Sequence, residues 1–128
     1  MERRNVTREL IVMSTAAYLE RADKWCERLE KREMARGKPI AEARRAIARS
    51  IGAAPGTLFN LRNKRLKNVG AKIHDGLRQL LINELTLEIK RHEQEIQLLK
   101  ELGGPAADLD LEEVEAQLAK IRAALKAA

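Results

Sequence analysis

The sequence predicts an all-α protein. Ala, Leu, Glu, Lys and Arg are abundant among its 128 residues, whereas aromatic residues make up only 2%. This composition is typical of helices rather than of β-sandwiches or barrels. Apolar residues recur at intervals of three and four over long stretches, which is the period of one helix face. Gly and Pro separate these stretches at places where helices usually begin and end.

The first helix is predicted to begin with a cap at Ser14 or Thr15 and to run to about Arg36, just before Gly37. One apolar stripe follows its length, at Tyr18, Ala22, Trp25 and Leu29. Residues 1–13 show no such stripe, and we expect them to form a flexible N-terminal arm.

Two short helices are predicted next. The first follows Pro39 and runs from Ile40 to Ser50 or Ile51, where Gly52 interrupts it. Its expected inward positions are Ile40, Ala43, Ile47 and Ile51. Pro55 then begins another helix, because proline is tolerated at the first helical position, and that helix continues to about Arg62 or Lys64.

A long helix is predicted from Ala71 to Leu102, a stretch without proline in which Gly76 is the only glycine. At 1.5 Å per residue it spans about 48 Å. Its positions at alternating intervals of three and four form a heptad seam. The seam consists of Ile82, Leu85, Ile89, His92, Ile96 and Leu99.

The segment Gly103-Gly104-Pro105 ends the long helix, and Asp110 with Glu113 is the expected capping pair of a last helix. This last helix has a seam of its own, at Leu111, Val114, Leu118, Ile121 and Leu125. Two seams joined by a short loop favour an antiparallel helical hairpin. The predicted organisation is thus an arm over residues 1–13, a three-helix domain over 14–70 and an oligomerising helical hairpin over 71–128.

Charge is distributed unevenly between these parts. Residues 1–70 hold 17 basic and 8 acidic residues, a net charge of +9, whereas residues 71–128 hold 8 basic and 11 acidic residues, a net charge of −3. Within residues 43–74, which we call the basic window, there is no acidic residue. The eight cations of this window are Arg44, Arg45, Arg49, Arg62, Lys64, Arg65, Lys67 and Lys72. This pattern favours contact with a polyanion in the first half and self-association in the second.

The stretch from Ile47 to Leu61 has the features of two helices that cross at a tight turn. Ala48 supplies a small side chain at the crossing, and Gly52 permits a left-handed turn. The small apolar core consists of Ile47, Ile51, Ala53, Leu58 and Leu61. This pattern resembles the helix-turn-helix of phage repressors and related bacterial regulators, over about twenty of the 128 residues.

The resemblance implies that the second of these helices enters the major groove of double-stranded DNA. Base contacts are then expected from Thr57, Asn60 and Asn63, with Lys64 just beyond, while Gly56 lets the backbone approach closely. Phe59 has two possible placements, inside the domain or against the sugar-phosphate backbone, and partial burial is the favoured expectation. Phosphate contacts are expected from Arg44, Arg45, Arg49, Arg62, Arg65 and Lys67.

These features predict a sequence-selective transcriptional regulator of bacterial, phage or plasmid type. One such motif makes few contacts, so we expect a homodimer formed through the long helix and the hairpin. The alternative is a phage DNA-packaging subunit of the small-terminase kind, or a nucleoprotein scaffold subunit, in a higher oligomer. Recognition of single-stranded RNA is disfavoured by the low aromatic content.

An enzyme is not expected, because the sequence has no Gly-rich phosphate loop, no Ser-His-Asp set and no clustered carboxylates. No cofactor is expected. His74 and His92 lie about 27 Å apart on one helix and cannot share a metal ion within one chain. Cys26, the only cysteine, is interpreted as a small buried hydrophobe. With no membrane-spanning run, a cytoplasmic location is expected.

Overall fold

The computed structural model describes residues 2–128, with side chains described for residues 15–128. This part of the chain forms helices and no β-strand, so the all-α prediction is confirmed. The helices are α1 Glu2–Ala35, α2 Ile40–Ile51, α3 Pro55–Arg62, α4 Ala71–Leu102 and α5 Pro105–Ala127. None of them combines the length and the hydropathy that a membrane span requires.

The predicted bounds of α2 and α4 are confirmed, because Gly and Pro mark them clearly. Gly52 ends α2 in the left-handed conformation, at φ 69°. The N–H of Ala53 then donates to the carbonyl of Ala48 at 2.9 Å, which closes the last turn of the helix. Pro55 is the first residue of α3, as predicted.

Two predicted helix starts differ from the structure. Helix α1 begins at Glu2 rather than at Ser14, since the absence of an apolar stripe does not prevent a helix in a segment rich in good helix formers. The side chains of this segment up to Ser14 lie outside the described residues. Helix α5 begins at Pro105 rather than at Asp110, because proline is well suited to the first helical position.

The first of two compact units comprises Met1–Leu80. The predicted stripe of α1 lies in its core at Ala22, Trp25 and Leu29, whereas Tyr18 is 44% exposed. The predicted inward face of α2 is correct except at Ile40, which is also 44% exposed. Ile40 is the first residue of α2, and helical side chains tilt toward the N-terminus, so this one projects beyond the packed turns.

The first turns of α4 belong to this unit, which moves the boundary from the predicted residue 70 to residue 80. His74 is only 9% exposed, and its ring centroid lies 4.6 Å from that of Tyr18 and 4.9 Å from that of Trp25. Leu77 is fully buried. Gly76 approaches α2 so closely that a Cβ atom there would lie 3.0 Å from the Cβ of Ile51.

We expect Gly76→Ala to lower the free energy of unfolding by about 1 kcal/mol. Alanine gains about 1 kcal/mol in helix propensity, but overpacking against Ile51, whose Cβ cannot move without its backbone, costs about 1–3 kcal/mol. Urea denaturation followed by Trp25 fluorescence measures the difference. The control is Gly56→Ala in α3, where a Cβ meets nothing within 4 Å and stability should rise. A Gly76→Ala protein more stable than the parent would contradict this packing.

The second unit comprises Leu81–Ala128. Its buried residues are Leu81, Leu85, Ala107, Val114 and Leu118. Side chains of α4 and α5 meet where the Arg122 guanidinium donates to Glu93 Oε1 at 3.2 Å. Because only Gly103 and Gly104 separate these helices, helices that lie side by side must run antiparallel. The remaining seam positions of both helices are only half-buried.

Candidate nucleic-acid interface

The structure separates the eight cations of the basic window into two groups. Six are exposed, namely Arg45, Arg49, Lys64, Arg65, Lys67 and Lys72. Arg44 and Arg62 are half-buried and face carboxylates of α1. Lys72, which the motif did not single out, lies beside the turn between α2 and α3, with its Nζ 3.4 Å from the position a Cβ would take at Gly52.

Arg62, the last residue of α3, lies against three carboxylates of α1. Its Nη1 is 2.5 Å from Asp23 Oδ1 and 3.7 Å from Glu27 Oε2, and its Nε is 2.9 Å from Glu30 Oε1. Residues 23, 27 and 30 share one face of α1 because they are four and three positions apart. We call these three residues the acidic face. Burial disfavours the charged form of Arg62, but the Asp23 hydrogen bond and the charges of the acidic face outweigh it and raise its pKa.

Glu30 is the buried centre of this contact, at 2% exposure. Its second oxygen, Oε2, lies 3.4 Å from Arg44 Nε, so one carboxylate joins α1 to both α2 and α3. The thiol of Cys26 donates to Glu30 Oε1 at 3.4 Å. Burial and, to a lesser extent, the charge of Glu30 raise the pKa of this thiol, which therefore stays protonated. The prediction of a buried Cys26 is confirmed.

The sequence predicts phosphate contacts for Arg44 and Arg62, whereas the structure places both side chains in ion pairs with carboxylates of α1. Both side chains are about one-fifth exposed, at 19% and 21%. A phosphate contact from Arg62 would have to compete with three carboxylates. These arginines therefore hold the three helices in position, a role that the motif did not indicate.

Helix α3 buries Leu58 and Leu61, which fixes the opposite face. At 100° per residue, the positions opposite these leucines are Gly56, Phe59, Asn60 and Asn63, which we call the outward face. Thr57 is half-buried and lies beside this face rather than on it. Of the three expected base-reading side chains, Asn60 and Asn63 thus lie together, and the Asn63 amide donates to the Phe59 carbonyl at 2.8 Å.

Phe59 is the aromatic residue of the outward face, and the expected partial burial still leaves it 44% exposed. The guanidinium carbons of Arg44 and Arg65 each lie 5.6 Å from the centroid of its ring. The sequence left a contact of Phe59 with the DNA backbone as the less favoured alternative to partial burial. The positions of Leu58 and Leu61 on a helical wheel contained the signal, because residue 59 cannot share their buried side.

Lys64 ends the turn after α3 in an unusual conformation, with φ 58°. The Arg65 N–H donates to the Asn60 carbonyl at 2.8 Å, and the Lys64 N–H donates to the Leu61 carbonyl at 3.2 Å. This is the hydrogen-bond pattern in which helices usually place glycine. The Lys64 side chain is 83% exposed and 3.5 Å from Asp23, a surface ion pair that stabilises little.

We expect Lys64→Gly to raise the free energy of unfolding by about 0.5–1 kcal/mol. Glycine relieves a left-handed strain of about 1–2 kcal/mol but loses more backbone entropy on folding. Thermal or urea denaturation measures the change. Lys67→Gly is the matched control. Lys64 is the one non-glycine residue with a positive φ in the described part of the chain, so glycine at position 67 relieves no strain and should only lower the stability of the protein. Equal losses in both variants would refute the strain at Lys64.

The side chains of residues 15–128 contain no group of three His, Cys, Asp or Glu residues placed to hold a metal ion. Comparisons of the chain with protein-family models, with curated proteins and with solved structures found no match. Function must therefore be inferred from the charges and contacts of this interface.

Proposed function

We propose that the chain binds double-stranded DNA with α3 in the major groove and acts as a homodimeric regulator of bacterial, phage or plasmid type. One observation carries the proposal. Of the six exposed cations, five contact no carboxylate among the described side chains, namely Arg45, Arg49, Arg65, Lys67 and Lys72. Unpaired cations gathered on short helices and their connections are the electrostatic feature that phosphate binding requires.

The acidic face of α1 supports this proposal by its location. Within residues 15–128, the carboxylates that pair with arginines and lysines of the basic window belong to α1, and their partners are Arg44, Arg62 and Lys64. His74, at the end of the window, lies beside Asp75 of α4. These ion pairs hold α1 against α2 and α3, and they leave the other cations of the basic window without a carboxylate partner. The surface around the outward face of α3 therefore keeps its positive charge.

The dimensions of α3 suit the proposed groove. An α-helix with its side chains is about 10–12 Å across, which fits the roughly 12 Å width of the major groove of B-DNA, and the eight residues of α3 give about two turns to lie in it. Asn60 and Asn63 are the polar side chains of its outward face, and asparagine can bind adenine through two hydrogen bonds. With α2 and Gly52 before it, α3 would take the role of the reading helix in a helix-turn-helix.

Dimer formation is proposed through the second unit. Half-buried seam positions on both helices leave apolar surface that a single hairpin does not cover, such as Ile89, Ile96 and Ile121. A second copy would cover it by forming a four-helix bundle. The two DNA-binding interfaces of a dimer on one duplex would then make enough DNA contacts for tight binding, which a single interface does not.

One observation favours the second candidate, a DNA-packaging or scaffold subunit in a larger ring. Thr57 lies beside the outward face, and the amide of Asn63 is engaged with the Phe59 carbonyl, so few groups are free to read bases. A protein with weak base reading would bind DNA mainly through phosphates, and its specificity would come from DNA shape.

Selection from a random duplex pool, combined with solution mass by light scattering, tests the proposal and separates the two candidates. Enrichment of a palindrome by a dimer supports the regulator. A larger ring without enrichment replaces it with the packaging or scaffold role. Failure to retain any duplex over single strands at low salt overturns both.

A further inference from the structure

Phe59 is an aromatic side chain that lies outside the hydrophobic core of its unit. It is 44% exposed, whereas its neighbours in α3, Leu58 and Leu61, are 0% and 3% exposed. It lies on the outward face between Gly56, which has no side chain, and Asn63. What distinguishes this ring from the other exposed apolar side chains is its position beside two guanidiniums on the proposed DNA-binding helix.

Two arginines hold this ring in place. Arg44 and Arg65 each bring a guanidinium over it at 5.6 Å from the centroid. Arg44 is itself fixed, because its Nε lies 3.4 Å from Oε2 of the buried Glu30. The ion pair that joins α1 to α2 therefore lies next to the ring on α3.

The charges beside Phe59 indicate what kind of ligand it meets. An apolar ring between cations does not suit an apolar protein groove, because docking there would strip water from two guanidiniums. It suits a polyanion whose surface also offers apolar groups. In the DNA major groove, the one apolar group on a base edge is the 5-methyl group of thymine, which phenylalanine can contact.

We propose that Phe59 packs against thymine methyl groups in the major groove and makes the protein selective for thymine-containing sites. This inference rests on the proposed DNA binding and adds to it a specificity-determining residue. Asn60 on the same face would bind adenine, the partner base of thymine. The outward face would then recognise both members of A·T pairs.

The test compares two duplexes that differ only in the methyl group, alternating poly(dA-dT) and alternating poly(dA-dU). Fluorescence anisotropy at one fixed salt concentration measures the affinity of the full chain for each. We expect the parent protein to prefer the thymine duplex about fourfold for each methyl group that it buries. Phe59→Ala should bind both duplexes equally, and Phe59→Leu should retain part of the preference.

Asn63→Ala is the matched control, because it alters the same face but leaves the ring in place. It should bind more weakly while keeping the preference for thymine. If the parent protein binds both duplexes equally, the inference about Phe59 is overturned while the proposed DNA binding stands. A preference for thymine that survives Phe59→Ala has the same consequence. Binding to neither duplex overturns the proposed function itself.

Discussion

Replacing Arg62 with alanine is expected to lower the free energy of unfolding by about 3 kcal/mol, the typical cost of removing one partner of a buried ion pair. The change would leave Glu30, which is 2% exposed, with Arg44 as its remaining cationic partner. It would also leave Asp23 and Glu27 to repel Glu30 along one face of α1. Urea denaturation, followed by Trp25 fluorescence and by far-ultraviolet circular dichroism, measures the loss.

Arg65→Ala is the matched control for this experiment. Arg65 follows α3 closely in sequence, is exposed, and pairs with no carboxylate among the described side chains. Its removal should change stability by no more than about 0.5 kcal/mol. If Arg62→Ala proves as stable as Arg65→Ala, the acidic face does not hold the helices together.

Removing three exposed cations at once, in Arg49→Ala/Arg65→Ala/Lys67→Ala, is expected to weaken duplex binding about 100-fold at low salt for each chain that contacts the DNA. This figure assumes about 1 kcal/mol for each lost charge-assisted phosphate contact. The slope of log affinity against log salt should also become shallower by about three per chain. Stability should stay close to that of the parent protein, because all three side chains are exposed.

The control for this variant removes the same charge from the other unit, in Lys90→Ala/Lys100→Ala/Lys120→Ala. These lysines are exposed residues of α4 and α5. If they are distant from the DNA contact, affinity and salt slope should change little. Equal losses in both triple variants would mean that net charge, rather than the proposed interface, attracts DNA.

The parts of the fold that were predictable are those marked by local chemistry. Gly52 and Pro55 bound α2 and α3, and an uninterrupted stretch defines α4. The start of α5 differs from the predicted one because Pro105, which suits the first helical position, begins the helix before Asp110. The domain boundary was misplaced because burial of His74 depends on the rings of Tyr18 and Trp25, which are distant in sequence.

The positive charge of the candidate site was predictable from the sequence, but the ion pairs that its arginines form with α1 were not. The absence of acidic residues from the basic window can be read directly from the sequence. That Arg62 meets Asp23 and Glu30 depends on how α1 packs on α3, which no local pattern determines. The left-handed backbone at Lys64 is likewise invisible in the sequence, since lysine rarely adopts it.

The salt dependence of duplex binding tests the central claim most directly. With six exposed cations in the basic window, we predict that log affinity falls linearly with log salt, with a slope of about −5 per chain or about −10 per dimer. Fluorescence anisotropy with a mixed-sequence duplex measures it. No binding at about 20 mM salt, or an affinity independent of salt, would contradict the account.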